Sequence, residues 1–252
     1  MGITAIQDQA SGLRRLFHPQ GAALGWPVVH AISCPGRPAF VLPLVQALVH
    51  AWADQGFCLA WVDELPSQRR EGWPWPCRVR FDLSQSMLDH VPLAASLSAL
   101  DDRVWFSSAR QMQRLVSDRG WPVSRRLLDS GVAFDALCLA VDPQSKRLWS
   151  VYGASVHHTV VVGAERHEIE SALRWMTGVP TAGVASWRLL LVSAEASAPD
   201  HGWIPEAAAP LLGQPLEILG PVSASWKDPE IAADLAGLDA MRRVLLERLM
   251  QG

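Results

Sequence analysis

The side chains of this chain that could do chemistry gather at a few points. After a short β-branched run, Val28-Val29-His30-Ala31-Ile32, comes the segment Ser33-Cys34-Pro35-Gly36-Arg37-Pro38-Ala39-Phe40-Val41, which leads into a long apolar stretch. In an open α/β fold ligands bind beyond the carboxyl ends of the strands, so this loop is where a phosphate would be held. A phosphate loop needs several glycines so that backbone N–H groups can surround the oxygens, a lysine for the terminal phosphates, and a Ser or Thr for magnesium. Here there is one glycine, two prolines that cannot donate, and Phe40 or Val41 where the lysine would fall. Arg37 is the one cation in the segment, either a substitute phosphate contact or an ordinary solvent-exposed loop arginine.

Other chemistries find less support. Ser33 or Cys34 as a nucleophile would need a histidine and an acid that the sequence does not place beside them, and there is no G-x-S-x-G elbow, which argues against a hydrolase. His157-His158 precedes a strand and His167 lies on a helix, with no carboxylate or cysteine at metal-ligand spacing, so structural or surface histidines are expected and no metal site. The cysteines Cys34, Cys58, Cys77 and Cys138 form no C-x-x-C pair and read as free thiols in a reducing compartment. Arg103, Arg110, Arg114, Arg119, Arg125 and Arg126 stand against Asp118 alone, interleaved with Trp105 and Trp121. Such a run is usually a solvated helix face, and contact with nucleic acid or an acidic protein is the alternative.

The elements that must position these residues follow from composition and periodicity. The chain has 252 residues, 49% hydrophobic and 19% charged, enough apolar material for one α/β domain with a core. The net charge of −3 gives no global field to attract nucleic acid as the main partner. Twenty of the 22 basic residues are arginine; the two lysines are Lys146 and Lys227, so the first 145 residues have none. Ile6, Ala10, Leu13 and Phe17 recur at helical spacing, and a second helix runs from the Pro/Gly loop to about Gly56. Further strands are expected at 57–62, 78–83, 104–107, 136–141, 159–162, 189–192 and 217–219, with helices at 108–119, 165–177 and 228–250. Short buried strands alternating with helices predict a mostly parallel sheet flanked by helices on both faces, a three-layer sandwich. No window has the apolar length of a membrane span, and a cytoplasmic protein is expected.

On these residues the chain resembles the FlhG/FleN proteins, MinD-like P-loop ATPases that control flagellar number and placement. Gln7-Asp8-Gln9-Ala10-Ser11-Gly12-Leu13-Arg14 is similar to their N-terminal D-Q-A-x-x-L-R motif. Residues 28–57 resemble the family's strand, P-loop, helix and glycine turn, Leu59-Ala60-Trp61-Val62-Asp63 its second strand ending in an aspartate, and Phe134 to Ala140 its Walker B strand. Residues 159–162 with 165–176 resemble the strand and helix that follow, and Leu216 to Val222 its late strand. The resemblance implies a MinD-like domain over residues 21–252, preceded at 1–20 by a motif helix and linker. It equally exposes departures: the P-loop lysine is missing, Leu65 replaces the acid after Asp63, and Ala140 stands at the Walker B aspartate with Asp142 two residues on. Ser33, Cys34, Gly36, Arg37 and Asp63 therefore make a degenerate nucleotide loop, with no catalytic residue and no resident cofactor; ATP and magnesium would bind only if that loop still holds them.

The resemblance further implies that Asp8, Gln9, Ala10, Leu13 and Arg14 contact a flagellar FlhF-type GTPase and stimulate its GTP hydrolysis, since a Gln or Arg delivered in trans can orient water or stabilise phosphoryl-transfer charge. The plain alternative is a helix packed on its own domain through Ile6, Leu13 and Phe17. Near the C-terminus Met241, Arg242, Leu245 and Leu249 lie on a stretch fit either for core packing, which the absence of an aromatic anchor favours, or for weak contact with a membrane surface at the inner membrane or cell pole. Two other functions stay open: an ATP-dependent switch of the MinD/ParA type that homodimerises, and a MinD-like adaptor in cellulose or polysaccharide secretion.

Overall fold

In a computed structural model of the chain the described residues are 27–66, 77–112, 122–128, 130, 132–144, 151–153, 155–180, 183–193 and 201–223. The motif helix at 5–17, the tryptophans at 73 and 75 and the C-terminal helix lie outside them; of the helix expected over 108–119, residues 108–112 instead end strand 104–108 and enter a turn, and 113–119 lie outside the described residues.

Among the described residues eight strands form one sheet: β1 (Val28–Ser33), β2 (Leu59–Asp63), β3 (Ser98–Ala99), β4 (Val104–Ser108), β5 (Ala136–Ala140), β6 (Val156–Gly163), β7 (Val184–Ser193) and β8 (Leu216–Ser223). Their order is β3-β4-β2-β5-β1-β6-β7-β8, and every pairing is parallel except that of the short edge strand β3 with β4. The mostly parallel sheet flanked by helices is as expected. β2 and β5 are buried at every residue, which is why they read as unbroken apolar runs and not as alternating ones.

Helix α1 (Val41–Asp54) covers one face, packing Leu44, Leu48 and Trp52 with Ile32, Trp61, Cys138 and Val161 of the sheet. The opposite face is covered by α2 (Leu83–Met87), α4 (Val123–Leu128), α5 (Arg166–Thr177) and α6 (Trp203–Leu212), while the four-residue α3 (Leu93–Ser96) precedes β3. The strand expected at 78–83 is not formed. Asp82 takes an extended conformation and caps α2 instead, accepting from the Ser84 N–H at 3.1 Å, from Ser84 Oγ at 2.7 Å and from Ser108 Oγ at 3.1 Å. Helix α6 is hidden in the sequence by two prolines, yet Pro205 falls in the first turn, where no intrahelical N–H is needed. It stops at Gly213, whose left-handed φ of 65° lets its N–H close back on Ala209.

β6 and β7 extend well beyond the apolar runs that announced them because their early residues are polar but paired within the sheet. His157 Nδ1 lies 2.9 Å from Ser186 Oγ, and Arg188 Nε donates to Glu217 at 2.8 Å. The rows His30–His157–Ser186 and Ile32–Thr159–Arg188–Glu217 run across β1, β6, β7 and β8 on the face that α1 covers. Burial holds His30 well below the usual imidazole range, reinforced by His157 and Arg188, and lowers His157 in the same way with Arg188 adding to it. An unfolded histidine takes up a proton below about pH 6.5, whereas these folded ones stay neutral. Stability should therefore be complete above that pH and fall as the pH drops below it, by up to about 1.4 kcal/mol per pH unit for His30. Urea unfolding at stepped pH checks this, and His30→Gln should flatten the acid limb.

Candidate functional site

The loop that leaves β1 is built inward. Cys34 is buried, and its carbonyl accepts the Arg37 N–H at 3.1 Å to close a turn over Pro35 and Gly36. Pro38–Phe40 forms a single 3-10 turn: the Phe40 N–H bonds the Arg37 carbonyl at 3.1 Å and the Val41 N–H the Pro38 carbonyl. Phe40 and Val41, where the resemblance would put a lysine, are core residues packed with Ile32 and Leu44. Three N–H groups of the loop are thus engaged with its own carbonyls, and Pro35 and Pro38 have none. Gly36 is exposed, lies outside the positive-φ residues, and a Cβ there would meet nothing within 4 Å, so neither backbone conformation nor close approach calls for a glycine. Arg37 sits at the turn, half-buried. Burial raises the Cys34 thiol strongly, which keeps it protonated and unreactive.

Ser33 does have a histidine beside it, which spacing alone did not reveal. Its Oγ lies 2.9 Å from Nε2 of His158, both residues being fully buried. His158 stacks on Trp187 at 4.7 Å between ring centroids and meets the edge of Trp175 at 5.7 Å; Trp175 in turn donates from Nε1 to the Pro143 carbonyl at 2.7 Å. Sealed under two indoles, the pair ties β1 to β6 and cannot reach a substrate.

The carboxyl ends of β2 and β5 bring acids together. Asp63 turns its carboxylate back on its own loop, Oδ1 accepting the Leu65 N–H at 2.8 Å, while its carbonyl accepts the Ala109 N–H at 2.7 Å. Glu64, not singled out in the sequence, is equally buried: it donates its N–H to the Ala140 carbonyl at 3.0 Å, and its carboxylate accepts from the Tyr152 hydroxyl and from the Asp142 N–H at 3.3 Å. Asp142 Oδ1 accepts the Gln144 N–H at 3.0 Å. Ala140 pairs in register with both Ile32 and Asp63, a methyl group where the resemblance places the Walker B aspartate.

Two arginines of the basic run, Arg103 and Arg126, hold loops. Arg126 forks onto Asp89, at 2.6 Å from Nη1, and donates to the carbonyls of Ser86 and Met87; its hydrogen bonds and charge hold the Asp89 carboxyl below the usual range. Arg103 donates to the Gly56 carbonyl. Arg114, Arg119 and Trp121 lie outside the described residues, as do Asp8, Gln9, Ala10, Leu13, Arg14, Met241, Arg242, Leu245 and Leu249. His167 pairs with Glu165 at 3.4 Å on the surface. Among the described residues no group of three or more His, Cys, Asp or Glu is placed to hold a metal, and no helix is long and apolar enough to cross a membrane.

The mostly parallel sheet with its flanking helices superposes on solved structures over most of its length. MinD of Aquifex aeolicus superposes with a TM-score of 0.57 over 89% of this chain and 97% of its own, at 13% identity. The fold is that of the MinD and ParA ATPases. Cobyrinic acid a,c-diamide synthase of Mycobacterium smegmatis, solved with bound ADP and magnesium, gives 0.54 over 86% and 92% at 16% identity, and apo McdA of Cyanthece gives 0.55 over 86% and 99% at 12%. No protein-family model and no curated protein matches the sequence.

Two substitutions separate the parts of the site that carry structure from those that do not. Tyr152→Phe leaves the buried Glu64 carboxylate short of a donor and should cost about 1–3 kcal/mol. Gly36→Ala should change stability by no more than about 0.5 kcal/mol, since nothing around it constrains the residue. Denaturant midpoints of the two variants check both values; a Gly36→Ala loss as large as that of Tyr152→Phe would mean the loop is held differently.

Proposed function

We propose that the chain is a MinD-type protein that has given up nucleotide turnover and works as a protein-binding regulator of the FlhG kind. The observation that carries this is the loop after β1. Its N–H groups at Arg37, Phe40 and Val41 bond its own carbonyls, two prolines remove further donors, and the lysine position is filled by Phe40 and Val41 inside the core. A polyphosphate brought to this rim would meet the acids Asp63, Glu64 and Asp142 with no lysine in the first 145 residues to offset them. Arg37 alone offers a positive charge within the loop.

The action is then assigned to the N-terminal motif. Asp8, Gln9, Ala10, Leu13 and Arg14 would dock on an FlhF-type GTPase, with Gln9 or Arg14 reaching the partner's phosphates to orient the attacking water or stabilise the transition state. Binding of a protein partner agrees with the MinC:MinD complex of Aquifex aeolicus, to which this fold is similar with a TM-score of 0.55 at 14% identity. The reading places the protein in the cytoplasm, in flagellar biosynthesis, with Met241, Arg242, Leu245 and Leu249 available for a peripheral contact at the inner membrane or pole. A homodimer, as in an ATP-dependent switch, is the competing state.

The test uses the full chain with a purified FlhF-type GTPase and follows GTP hydrolysis. Stimulation of about tenfold or more, lost in Gln9→Ala or Arg14→Ala, is the expected result. No stimulation, or stimulation indifferent to both substitutions, would overturn the assignment to residues 5–17.

A further inference from the structure

A row of apolar side chains crosses the far half of the sheet on the face that α1 covers elsewhere. Val161 of β6 stands in register with Leu190 of β7, and Leu190 with Leu219 of β8; Val192 is the next residue of β7 on the same face. All four are at most 1% exposed. Helix α1 covers no more than the first of them. It lies over β1, β2, β4 and β5, whereas Leu190 and Leu219 are two and three strands from β1, about 10 and 14 Å at the usual strand spacing, and a helix with its side chains is about 10–12 Å across. The helices beside these strands, α5 and α6, send Ile169, Leu173, Ile204 and Leu212 to the opposite face, against Val160, Leu189 and Leu191. On β8 the cover ends between Leu219 and Glu217, whose side chain is 44% exposed.

Among the described helices none lies over β7 and β8 on this side. The internal stretches outside the described residues are at most ten residues long, and the one that leaves β7, 194–200, leads to α6 on the opposite face. Of the terminal stretches, residues 1–26 join β1, which is under α1, whereas residues 224–252 leave β8 itself. The latter carry Leu238, Met241, Leu245 and Leu249 at helical spacing, with Arg243 and Glu247 on the other side of such a helix. A helix over 228–250 reaches about 34 Å, longer than the roughly 26 Å of an eight-residue strand. We infer that the C-terminal stretch 228–250 docks on this face of β6, β7 and β8, its leucine and methionine stripe covering Leu190, Val192 and Leu219. The occupant is this chain's own tail because it starts where β8 ends, matches the row in apolar character and has the length to cross it. Docking and a peripheral membrane contact compete for the same stripe, so a membrane takes the tail only by uncovering the row. This docking is independent of the loop after β1 and of the GTPase contact proposed above.

The experiment compares urea midpoints of the full chain carrying Leu219→Ala, Leu245→Ala, Leu13→Ala or Arg243→Ala with those of the pairs Leu219→Ala/Leu245→Ala and Leu219→Ala/Leu13→Ala. Leu219→Ala and Leu245→Ala should each lower the midpoint by about 1 M or more, and Arg243→Ala by no more than about 0.3 M. The tail pair should lose clearly less than the sum of its single losses, because the two side chains share one contact, while the pair with Leu13 should add. A midpoint unmoved by Leu245→Ala, or simple addition in the tail pair, would overturn the docking. Loss of additivity with Leu13 would seat the N-terminal stretch on the row instead, and a midpoint that rises with protein concentration until Leu219→Ala removes the rise would seat a second copy there. Sedimentation of the chain with phosphatidylglycerol vesicles, abolished by Leu245→Ala at an unchanged midpoint, would give the stripe to the membrane and likewise overturn it.

Discussion

Strand β1 is hydrogen-bonded on both sides, to β5 and to β6, and lies under α1 on one face, so no part of it can shift without moving three other elements. Its register sets Ile32 against Ala140 on one side and Thr159 on the other, and this determines where the chain leaves the sheet. The exit is immediately followed by residues that must themselves be buried: Phe40 and Val41 enter the same core as Ile32. With both ends so anchored, the intervening residues have to turn tightly, and the turn bonds Cys34 to Arg37 and Arg37 to Phe40 are the result. A loop whose donors are consumed in closing itself has few to present to a ligand. The segment between β1 and α1 is thus closed by its own bonds and by the burial of Phe40 and Val41.

Around this strand, buried polar pairs link elements distant in sequence. Ser33 with His158 joins β1 to β6, His157 with Ser186 and Arg188 with Glu217 carry the connection to β8, and Tyr152 with Glu64 draws the segment after residue 150 onto the end of β2. Each pair satisfies groups whose burial would otherwise be costly, and each works in only one register, since sliding a strand by one residue would turn its side chains to the other face. The sheet is thereby specified as much by these pairs as by its apolar residues.

The sequence was most readable where burial is simple. β2 and β5 are sealed on both faces and show it as apolar runs; α1 and α5 present ordinary helical stripes; the alternation of strands with helices was sufficient for the parallel three-layer architecture. It was least readable where polar residues are buried with distant partners. His157, Ser186 and Arg188 concealed the first halves of β6 and β7, because their partners on neighbouring strands cannot be seen from local spacing. Asp82 looked like the interior of a strand and is the cap of α2, and Pro205 and Pro210 concealed α6. At the site, the absence of lysine and the two prolines were legible directly, whereas the Ser33–His158 contact and the capture of Glu64 by Tyr152 depend on residues far apart in the chain, 125 and 88 positions respectively.

The function of this MinD-type fold depends on whether its loop after β1 takes up nucleotide. The most direct measurement is equilibrium binding of ATP and of ADP to the full chain in the presence of magnesium, by calorimetry, with hydrolysis followed in the same samples. With three of the loop's N–H groups bonded internally and no lysine in the loop to hold the terminal phosphates, no saturable binding is expected even at about 1 mM nucleotide, a concentration at which an affinity weaker than about −4 kcal/mol escapes saturation. Micromolar affinity accompanied by turnover would contradict it and make the protein an active nucleotide switch.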